Sequence, residues 1–189
     1  HNALIDECCE KRWCANGSNR GHQPRIYHIC AKLKPRIIVE TGMGSDGHGS
    51  STYTFLTIAK EMDVQFYSVD TEPMNLWFQK KFPDLDYRRW HFVQGDGAET
   101  LKALRVKIDF LHLDSGHGYD CVTNELSAAQ PHLALDHVIA CHDTEVGQPE
   151  CRKAMYDFAL QNKYTIKQFE DWHGETFLTN KPELFEGLI

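Results

Sequence analysis

The segment 36–49 constrains the fold of this chain more than any other part of the sequence. It opens with the apolar run 37–39, which predicts a buried strand, and continues into four glycines within eight residues. Residues 50–62 then carry N-cap hydroxyls followed by apolar side chains at helical spacing, so the segment predicts a strand, a glycine turn and a helix. Because glycine reaches positive φ freely and a helix N-terminus presents unpaired N–H groups, a nucleotide-like ligand can sit at such a turn.

The spacing of Gly42, Gly44 and Gly47 also satisfies G-x-G-x-x-G, the dinucleotide-binding fingerprint. This signal is weak when taken alone, because glycine turns between a strand and a helix are common for structural reasons. It keeps an NAD-linked oxidoreductase open as one interpretation of the chain.

The composition disfavours several classes of function. A chain of 189 residues fits one domain, and 41% hydrophobic and 25% charged residues are ordinary values for a globular protein. The formal net charge of −7 disfavours nucleic acid as a partner, and no apolar run is long enough to predict a membrane span. The seven cysteines include no C-x-x-C pair, so we expect free thiols in a reducing compartment and a cytoplasmic location.

The remainder of the chain alternates between predicted strands and predicted helices until its end. Helical patterns separate five predicted strands, and two further strands around His173-Gly174 should pair antiparallel. The strands are predicted at 36–40, 64–70, 90–94, 107–114, 137–143, 164–170 and 175–179. This pattern predicts an α/β fold: a mostly parallel seven-stranded sheet with a C-terminal antiparallel hairpin and helices on both faces.

The N-terminal residues are predicted to form a separate helical segment. Residues 1–34 carry two helical patterns, and the polar, glycine-containing stretch 17–24 between them could be a lid over a site or simply a loop. We therefore divide the chain into an N-terminal segment, 1–34, and a ligand-binding domain, 35–189.

Acidic residues, glycines and histidines follow the predicted parallel strands. In an open α/β sheet ligands bind at the carboxyl ends of the strands, so these residues should converge on one edge. They are Glu40 with Gly42, Asp70, Asp96, Asp114 with His117, and His142 with Asp143. Asp70 is placed to accept hydrogen bonds from ribose hydroxyls, with a turn or helix-cap aspartate as the alternative. This convergence favours an enzyme over an inert scaffold.

Two of these groups belong to neighbouring predicted strands. The carboxylates of Asp114 and Asp143, with the imidazoles of His117 and His142, can hold a divalent ion through oxygen and nitrogen. The alternative is a hydrogen-bonded network without a metal. His112 lies inside the fourth predicted strand and is expected to be a core histidine with its hydrogen bonds satisfied.

These motifs resemble those of class I S-adenosylmethionine (SAM)-dependent methyltransferases. The resemblance rests on Glu40-x-Gly42-x-Gly44, on Asp70, on Gly95-Asp96-Gly97-Ala98, on Asp114 and on the terminal hairpin, which NAD-binding Rossmann domains lack. Within this class, the sequences L-D-S-G-H-G-Y-D and V-I-A-C-H-D-T are similar to the branch containing macrolide-sugar O-methyltransferases and cephalosporin-hydroxylase-like proteins. The resemblance covers about 36–179 and implies a Rossmann-like methyltransferase fold.

The resemblance implies a SAM-binding role for the glycine and acidic motifs. Gly42 and Gly44 would pass beneath the methionine and ribose parts of SAM, and Glu40 would order the loop or meet the amino group. Asp70 would bind the ribose hydroxyls. The motif Gly95-Asp96-Gly97-Ala98 would also bind SAM, with Asp96 and Ala98 at the edge of the adenine.

The resemblance also implies a catalytic site. Asp114 and Asp143 match the metal-ligand positions of metal-dependent members, His117 matches a proposed general base, and Asp114 and His117 are the implied catalytic residues. His142 stands where those members tend to have an acid, and histidine suits Mn or Fe better than Mg, so the presence of the metal and its identity as Mg, Mn or Fe stay open.

The implied activity is O-methylation of a small-molecule hydroxyl of sugar or polyketide type, with or without a metal. The expected partner is a small-molecule acceptor, and a homo-oligomer stays open. The alternatives are an NAD-linked oxidoreductase and a methyltransferase-like domain that binds a ligand without turnover.

Overall fold

A computed structural model describes residues 21–43, 50–74, 77–145, 148–171 and 173–188. These ranges contain seven strands, which are β1 (Ile37–Thr41), β2 (Gln65–Asp70), β3 (Trp90–Gln94), β4 (Ile108–Leu113), β5 (Leu133–His142), β6 (Thr165–Phe169) and β7 (Glu175–Thr179). The helices are α1 (His22–Leu33), α2 (Ser50–Met62), α3 (Trp77–Lys81), α4 (Gly97–Ala103), α5 (Tyr119–Ala129) and α6 (Pro149–Asn162), with 3-10 turns at Gln130–His132 and Pro182–Phe185. Within these ranges no helix is both long and apolar enough to cross a membrane.

The seven strands form one sheet in the order β3-β2-β1-β4-β5-β7-β6. Strands β3, β2, β1, β4 and β5 are parallel, whereas β7 lies between β5 and β6 and runs antiparallel to both. The predicted architecture, a mostly parallel sheet with a C-terminal antiparallel pair, is therefore confirmed.

Helices cover both faces of the sheet because side chains alternate between the faces along each strand. On one face, Ile38 and Phe110 pack with Ile26 of α1 and Phe55 of α2. On the other face lies a second core, which includes Val39, Leu111, Leu126 and Met155. The predicted placement of helices on both faces is confirmed.

The strand order indicates where on the sheet a ligand should bind. β1 pairs with β2 on one side and with β4 on the other, so the chain direction of the crossovers reverses at β1. This is the topological switch point at which open α/β sheets bind ligands, beyond the carboxyl ends of the strands.

The helix α1 is part of the main core rather than a detached element. Its residues Ile26, Ile29 and Cys30 have no exposed surface, and the helix ends at Leu33, where the next residue, Lys34, has a left-handed φ of 53°. Residues 1–20, which include half of the stretch 17–24 predicted as a lid or a loop, lie outside the described residues. The other half is not a loop, because α1 begins at His22. The division into 1–34 and 35–189 stays a prediction.

Candidate active site

A cleft of about 480 Å³ opens at the carboxyl ends of β1, β2, β3 and β4. Its volume lies within the range of small-molecule and cofactor sites, roughly 300–1,000 Å³. Six of the residues singled out in the sequence line it, namely Gly42, Asp70, Gly95, Asp96, Gly97 and Asp114. The structure therefore brings residues that lie far apart in the sequence into one site.

Gly42 allows the backbones of β1 and β4 to approach each other at the base of this cleft. Its φ is +82°, and a Cβ built on it would collide with the backbone carbonyl group of Asp114. Its N–H donates a 2.8 Å hydrogen bond to the carbonyl oxygen of Val69 at the end of β2. Only glycine fits this position without strain. Gly44 lies outside the described residues.

Glu40 is buried below the cleft and is not among its lining residues. Its two carboxylate oxygens accept hydrogen bonds from the Ser51 hydroxyl at 2.5 Å and the Thr52 hydroxyl at 2.7 Å. Burial raises the pKa of Glu40 to about 8, although these hydrogen bonds oppose the shift. These bonds hold the start of α2 against the end of β1, and both implied roles of Glu40, ordering the glycine loop and meeting the amino group of SAM, stay predictions.

Asp70 fixes the segment after β1 to the end of β2. One carboxylate oxygen accepts a hydrogen bond from the Met43 N–H at 2.9 Å, and the other accepts one from the Glu72 N–H at 2.9 Å. The residue thus forms the turn that was the alternative interpretation and also lines the cleft.

Asp96 caps the helix α4 at the rim of the cleft. Its side chain accepts a hydrogen bond from the Glu99 N–H at 2.9 Å, and its backbone is extended. Ala98 packs against the core and is not among the residues that line the cleft. Its contact with adenine stays a prediction.

A group of acids and histidines adjoins the cleft and shares Asp114 with it. His117 Nε2 lies 2.8 Å from Asp143 Oδ2, and His142 Nδ1 lies 3.5 Å from Asp114 Oδ1 and 3.4 Å from Asp143 Oδ2. One potential ligand atom from each of Asp114, His117 and Asp143 lies within 4.8 Å of the others. Carboxylates and imidazole at this spacing form a donor set that fits a divalent transition-metal ion.

In the protein alone, His142 provides the positive charge between these carboxylates. Burial would lower the pKa of His142, but contacts with Asp114 and Asp143 raise it to about 11. Burial likewise opposes ionisation of Asp143, yet His117 and His142 hold the pKa of that carboxyl well below its usual range. The contact with Asp143 raises the pKa of His117. The group therefore keeps Asp143 ionised beside a protonated His142.

Asp143 holds its carboxylate in place with an unusual backbone. Its φ is +54°, a left-handed value that aspartate tolerates better than most residues but glycine prefers. The carboxylate also lies 3.5 Å from His173 Nδ1 in the turn before β7, so it contacts histidines from three segments.

Comparison with known proteins connects this geometry to a family. A family described as a methyltransferase domain matches residues 39–144, more than half of the chain, from β1 to the end of the strand β5 and its following turn. The chain belongs to this methyltransferase family. The membership confirms the resemblance drawn from the sequence motifs. No curated protein sequence matches the chain.

Solved structures share the fold of this methyltransferase domain. A putative caffeoyl-CoA O-methyltransferase from Staphylococcus aureus has a TM-score of 0.68 at 12% identity, over 95% of this chain and 91% of that one. The Podospora anserina methyltransferase PaMTH1, solved with S-adenosylhomocysteine (SAH), has a TM-score of 0.63 at 15% identity, over 94% and 88%. MycE, from the mycinamycin biosynthetic pathway, was solved with Mg, SAH and mycinamycin VI. Its TM-score is 0.64 at 17% identity, over 98% of this chain but 56% of that one.

The methyltransferase cleft also contains residues that the sequence analysis did not select. Glu125 of α5 is buried, and it accepts hydrogen bonds from the Ser115 hydroxyl at 2.8 Å and the Thr41 hydroxyl at 3.1 Å. Burial raises its pKa to about 7 despite these bonds. A signal was present in the sequence, because Glu125 falls next to Val122 and Leu126 on the apolar side of a predicted helix.

The expected core position of His112 is confirmed, but the expectation that its hydrogen bonds are satisfied is wrong. The ring is fully buried, and neither of its nitrogens has a hydrogen-bond partner. The nearest acid is Glu40, whose Oε1 lies 3.8 Å from His112 Nδ1, and both Glu40 oxygens already accept bonds from the start of α2. The position of His112 inside a predicted strand indicated a place in the core. It could not show that the nearest acid, Glu40, already accepts hydrogen bonds from Ser51 and Thr52.

Proposed function

We propose that this methyltransferase domain transfers the methyl group of SAM to a hydroxyl group of a small molecule. The observation that carries the proposal is the position of Asp114, which lines the cleft and also belongs to the acid and histidine group. A ligand in the cleft would therefore present its reacting end to His117 and Asp143. The SAH in the PaMTH1 structure and the SAH and Mg in the MycE structure support this assignment.

SAM would be held by the ends of three strands. Asp70 and Asp96 line the cleft and offer carboxylate oxygens to the hydroxyl and amino groups of a nucleoside. Gly42, at the end of β1 beside β2, leaves bare backbone at the base of the cleft. SAM supplies an activated methyl group, so the protein has to position the acceptor hydroxyl and remove its proton.

His117 is the base in this proposal. His117 Nε2 lies 2.8 Å from Asp143 Oδ2, and in the tautomer that carries its proton on Nε2 the other ring nitrogen, Nδ1, is left to accept the proton of the acceptor hydroxyl. The new carbon–oxygen bond forms as the carbon–sulfur bond breaks, and SAH is the second product. The side chain of His117 is 35% exposed, so a substrate can reach it.

A divalent ion would be held by Asp114 and Asp143, with His142 as a third ligand or as a partner of the ligands. Such an ion would orient the acceptor hydroxyl and lower its pKa. The carboxylates of Asp114 and Asp143 lie close enough together, within 4.8 Å, to bind the same ion. The acceptor class that we propose, a sugar or polyketide hydroxyl, is supported by the mycinamycin VI in the MycE structure.

Calorimetry with SAM, SAH and NAD tests the cofactor. We expect SAM and SAH to bind and NAD not to bind. Asp70→Ala should weaken SAM binding about ten- to a hundredfold, because a charge-assisted hydrogen bond contributes roughly 1.5–3 kcal/mol. The control is Asp84→Ala, which removes an exposed aspartate outside the cleft. Tight NAD binding without SAM binding would instead support an oxidoreductase.

A further inference from the structure

A second group of potential metal ligands lies beneath α1 and is not used by the proposed methyl transfer. It consists of His22, His112 and Glu175, whose nearest ligand atoms all lie within 4.8 Å of one another. The three side chains come from α1, β4 and β7, and their residues are 6%, 0% and 2% exposed. We call this group the buried triad.

The polar atoms of the buried triad have no hydrogen-bond partners among the described residues. These atoms are His22 Nδ1, both nitrogens of His112 and both carboxylate oxygens of Glu175. His22 Nδ1 lies 2.5 Å from Glu175 Oε1, but the angles are not those of a hydrogen bond. A buried polar atom without a partner is destabilising, so five such atoms at one place indicate a missing ligand.

The sheet explains why these groups meet. Glu40 pairs in register with His112, whose partner on β5 is Ala140. The pair of His142 and Glu175 lies two residues further toward the carboxyl end of β5, so His112 and Glu175 are diagonal neighbours on one face of the sheet. The apolar residues Ile38 and Phe110 lie on the same face, two residues before Glu40 and His112 on their strands. His22, the first residue of α1, packs its ring against that of His112 on this face.

The chemistry of the triad selects the ligand. Two imidazoles and one carboxylate suit borderline transition-metal ions, whereas Mg²⁺ and Ca²⁺ prefer oxygen ligands alone. Ligand atoms around one Zn²⁺ ion lie about 3–4 Å apart, given bonds of about 2.0–2.2 Å, so small side-chain shifts suffice. Burial lowers the pKa values of His22 and His112 to about 3, which keeps both rings neutral as metal ligands must be.

We propose that His22, His112 and Glu175 bind a Zn²⁺-class ion that fastens α1 to the sheet. This site is distinct from the Asp114, His117 and Asp143 group, which reaches the cleft. The nearby carboxylates of Asp114 and Asp143 favour a cation at the triad, whereas Arg25 and a protonated His142 oppose it. The two sites adjoin where the rings of His22 and His142 meet edge-on, with 4.8 Å between their centroids.

The test uses protein stripped with a chelator and contains no SAM or acceptor, so its outcome is independent of the proposed methyl transfer. Asp114→Asn is the background, because it weakens the neighbouring group and isolates the triad. We expect calorimetry to find one Zn²⁺ per chain and the melting temperature to rise with Zn²⁺. Co²⁺ should give paramagnetically shifted NMR signals from two coordinated histidines.

Variants then locate the ion. In the Asp114→Asn background, Glu175→Gln and His22→Gln should each weaken Zn²⁺ binding by more than about a hundredfold, since outer partners alone contribute 10–100-fold. The matched control is His28→Gln, because His28 lies in the same helix and contacts only a backbone carbonyl at 3.2 Å among the bonds found here. Circular dichroism confirms that each variant folds.

Two results would overturn the proposal. One is an Asp114→Asn protein that binds no Zn²⁺ and shows no Co²⁺-shifted histidine signals, which would make the triad an internal polar network. The other is unchanged Zn²⁺ affinity in folded Glu175→Gln and His22→Gln proteins, which would place the ion elsewhere. If neither variant folds, the Co²⁺ spectrum of an Asp114→Asn, His117→Gln protein decides, because the neighbouring group then keeps only His142 and signals from two coordinated histidines require the triad.

Discussion

Glu40 and Thr52 are joined by a 2.7 Å hydrogen bond that runs from the first turn of α2 to the end of β1. The hydroxyl of Ser51 donates a second bond, 2.5 Å long, to the other oxygen of the same carboxylate. The two ends of the glycine-rich segment are therefore fastened together from below. A strand–turn–helix unit that must leave its turn free for a ligand is stabilised here by a buried acid.

Removing this acid should destabilise the domain. Glu40→Ala leaves two buried hydroxyls without an acceptor, and we expect it to lower the free energy of unfolding by about 1–3 kcal/mol. Urea denaturation measures the change, and Glu186→Ala, at an exposed position, is the control. A loss of SAM binding with unchanged stability would instead mean that Glu40 contacts the ligand.

Glu125 should make stability depend on pH. The folded protein raises its pKa from 4.5 to about 7, so it binds this proton more tightly than the unfolded chain does. The stabilisation is complete below pH 4.5 and is lost as the pH rises through about 7, up to about 3 kcal/mol. Glu125→Gln should flatten the change in unfolding free energy between about pH 5 and about pH 8. Glu183→Gln is the exposed control, and an equally steep profile in both variants would contradict the prediction.

Gly42 should not tolerate a side chain. Gly42→Ala forces a left-handed alanine, at about 1–2 kcal/mol, and drives its Cβ into the carbonyl group of Asp114. We expect a lower melting temperature and loss of SAM binding. Gly118→Ala is the matched control, because its φ is −86° and its Cβ would meet only Glu150 at 3.8 Å. Equal effects of the two substitutions would show that the close approach is unimportant.

His117 should contribute to the chemical step. We expect His117→Ala to reduce single-turnover methyl transfer about 10²–10⁴-fold and to leave SAM affinity nearly unchanged. His132→Ala, at the opposite end of β5, is the control. If His117 only fixes its loop against Asp143, the variant will lose metal or SAM affinity while the bound complex keeps its rate.

Metal removal should separate an ion site from a polar network. We expect exhaustive chelation to abolish turnover and Mn²⁺ or Fe²⁺ to restore it. Asp143→Asn should raise the concentration of metal required, because asparagine keeps the left-handed backbone but removes the charge. Full activity after chelation, with no metal by elemental analysis, would leave Asp114 and Asp143 as partners of histidines only.

The fold could be predicted from the sequence because its signals are local. Apolar runs such as Ile37-Ile38-Val39 identify strands, helical patterns between them require parallel crossovers, and the turn at His173-Gly174 requires antiparallel pairing. Parallel strands also bring their carboxyl ends together, which is why Asp70, Asp96 and Asp114 meet in one cleft.

The rest of the site depends on tertiary contacts that no local pattern contains. His22 begins a helix 90 residues before His112, and only the packing of α1 on the sheet brings the two rings to a centroid distance of 5.2 Å. Glu175 opens β7, whose insertion between β5 and β6 places it beside His142. A strand-end acid could be read from the sequence, but its neighbours across the sheet could not.

The left-handed backbone of Asp143 offers a way to recognise relatives that have lost activity. A residue with φ of +54° keeps its side chain at some expense of stability, so selection for the fold alone would favour glycine there. Drift to glycine at this position, with the buried core intact, would mark a lineage that retains the scaffold but no longer needs the carboxylate. The same substitution made in the laboratory should relieve the backbone but leave the protonated His142 with one carboxylate fewer, so thermal stability alone is a misleading guide when homologues are chosen for assay.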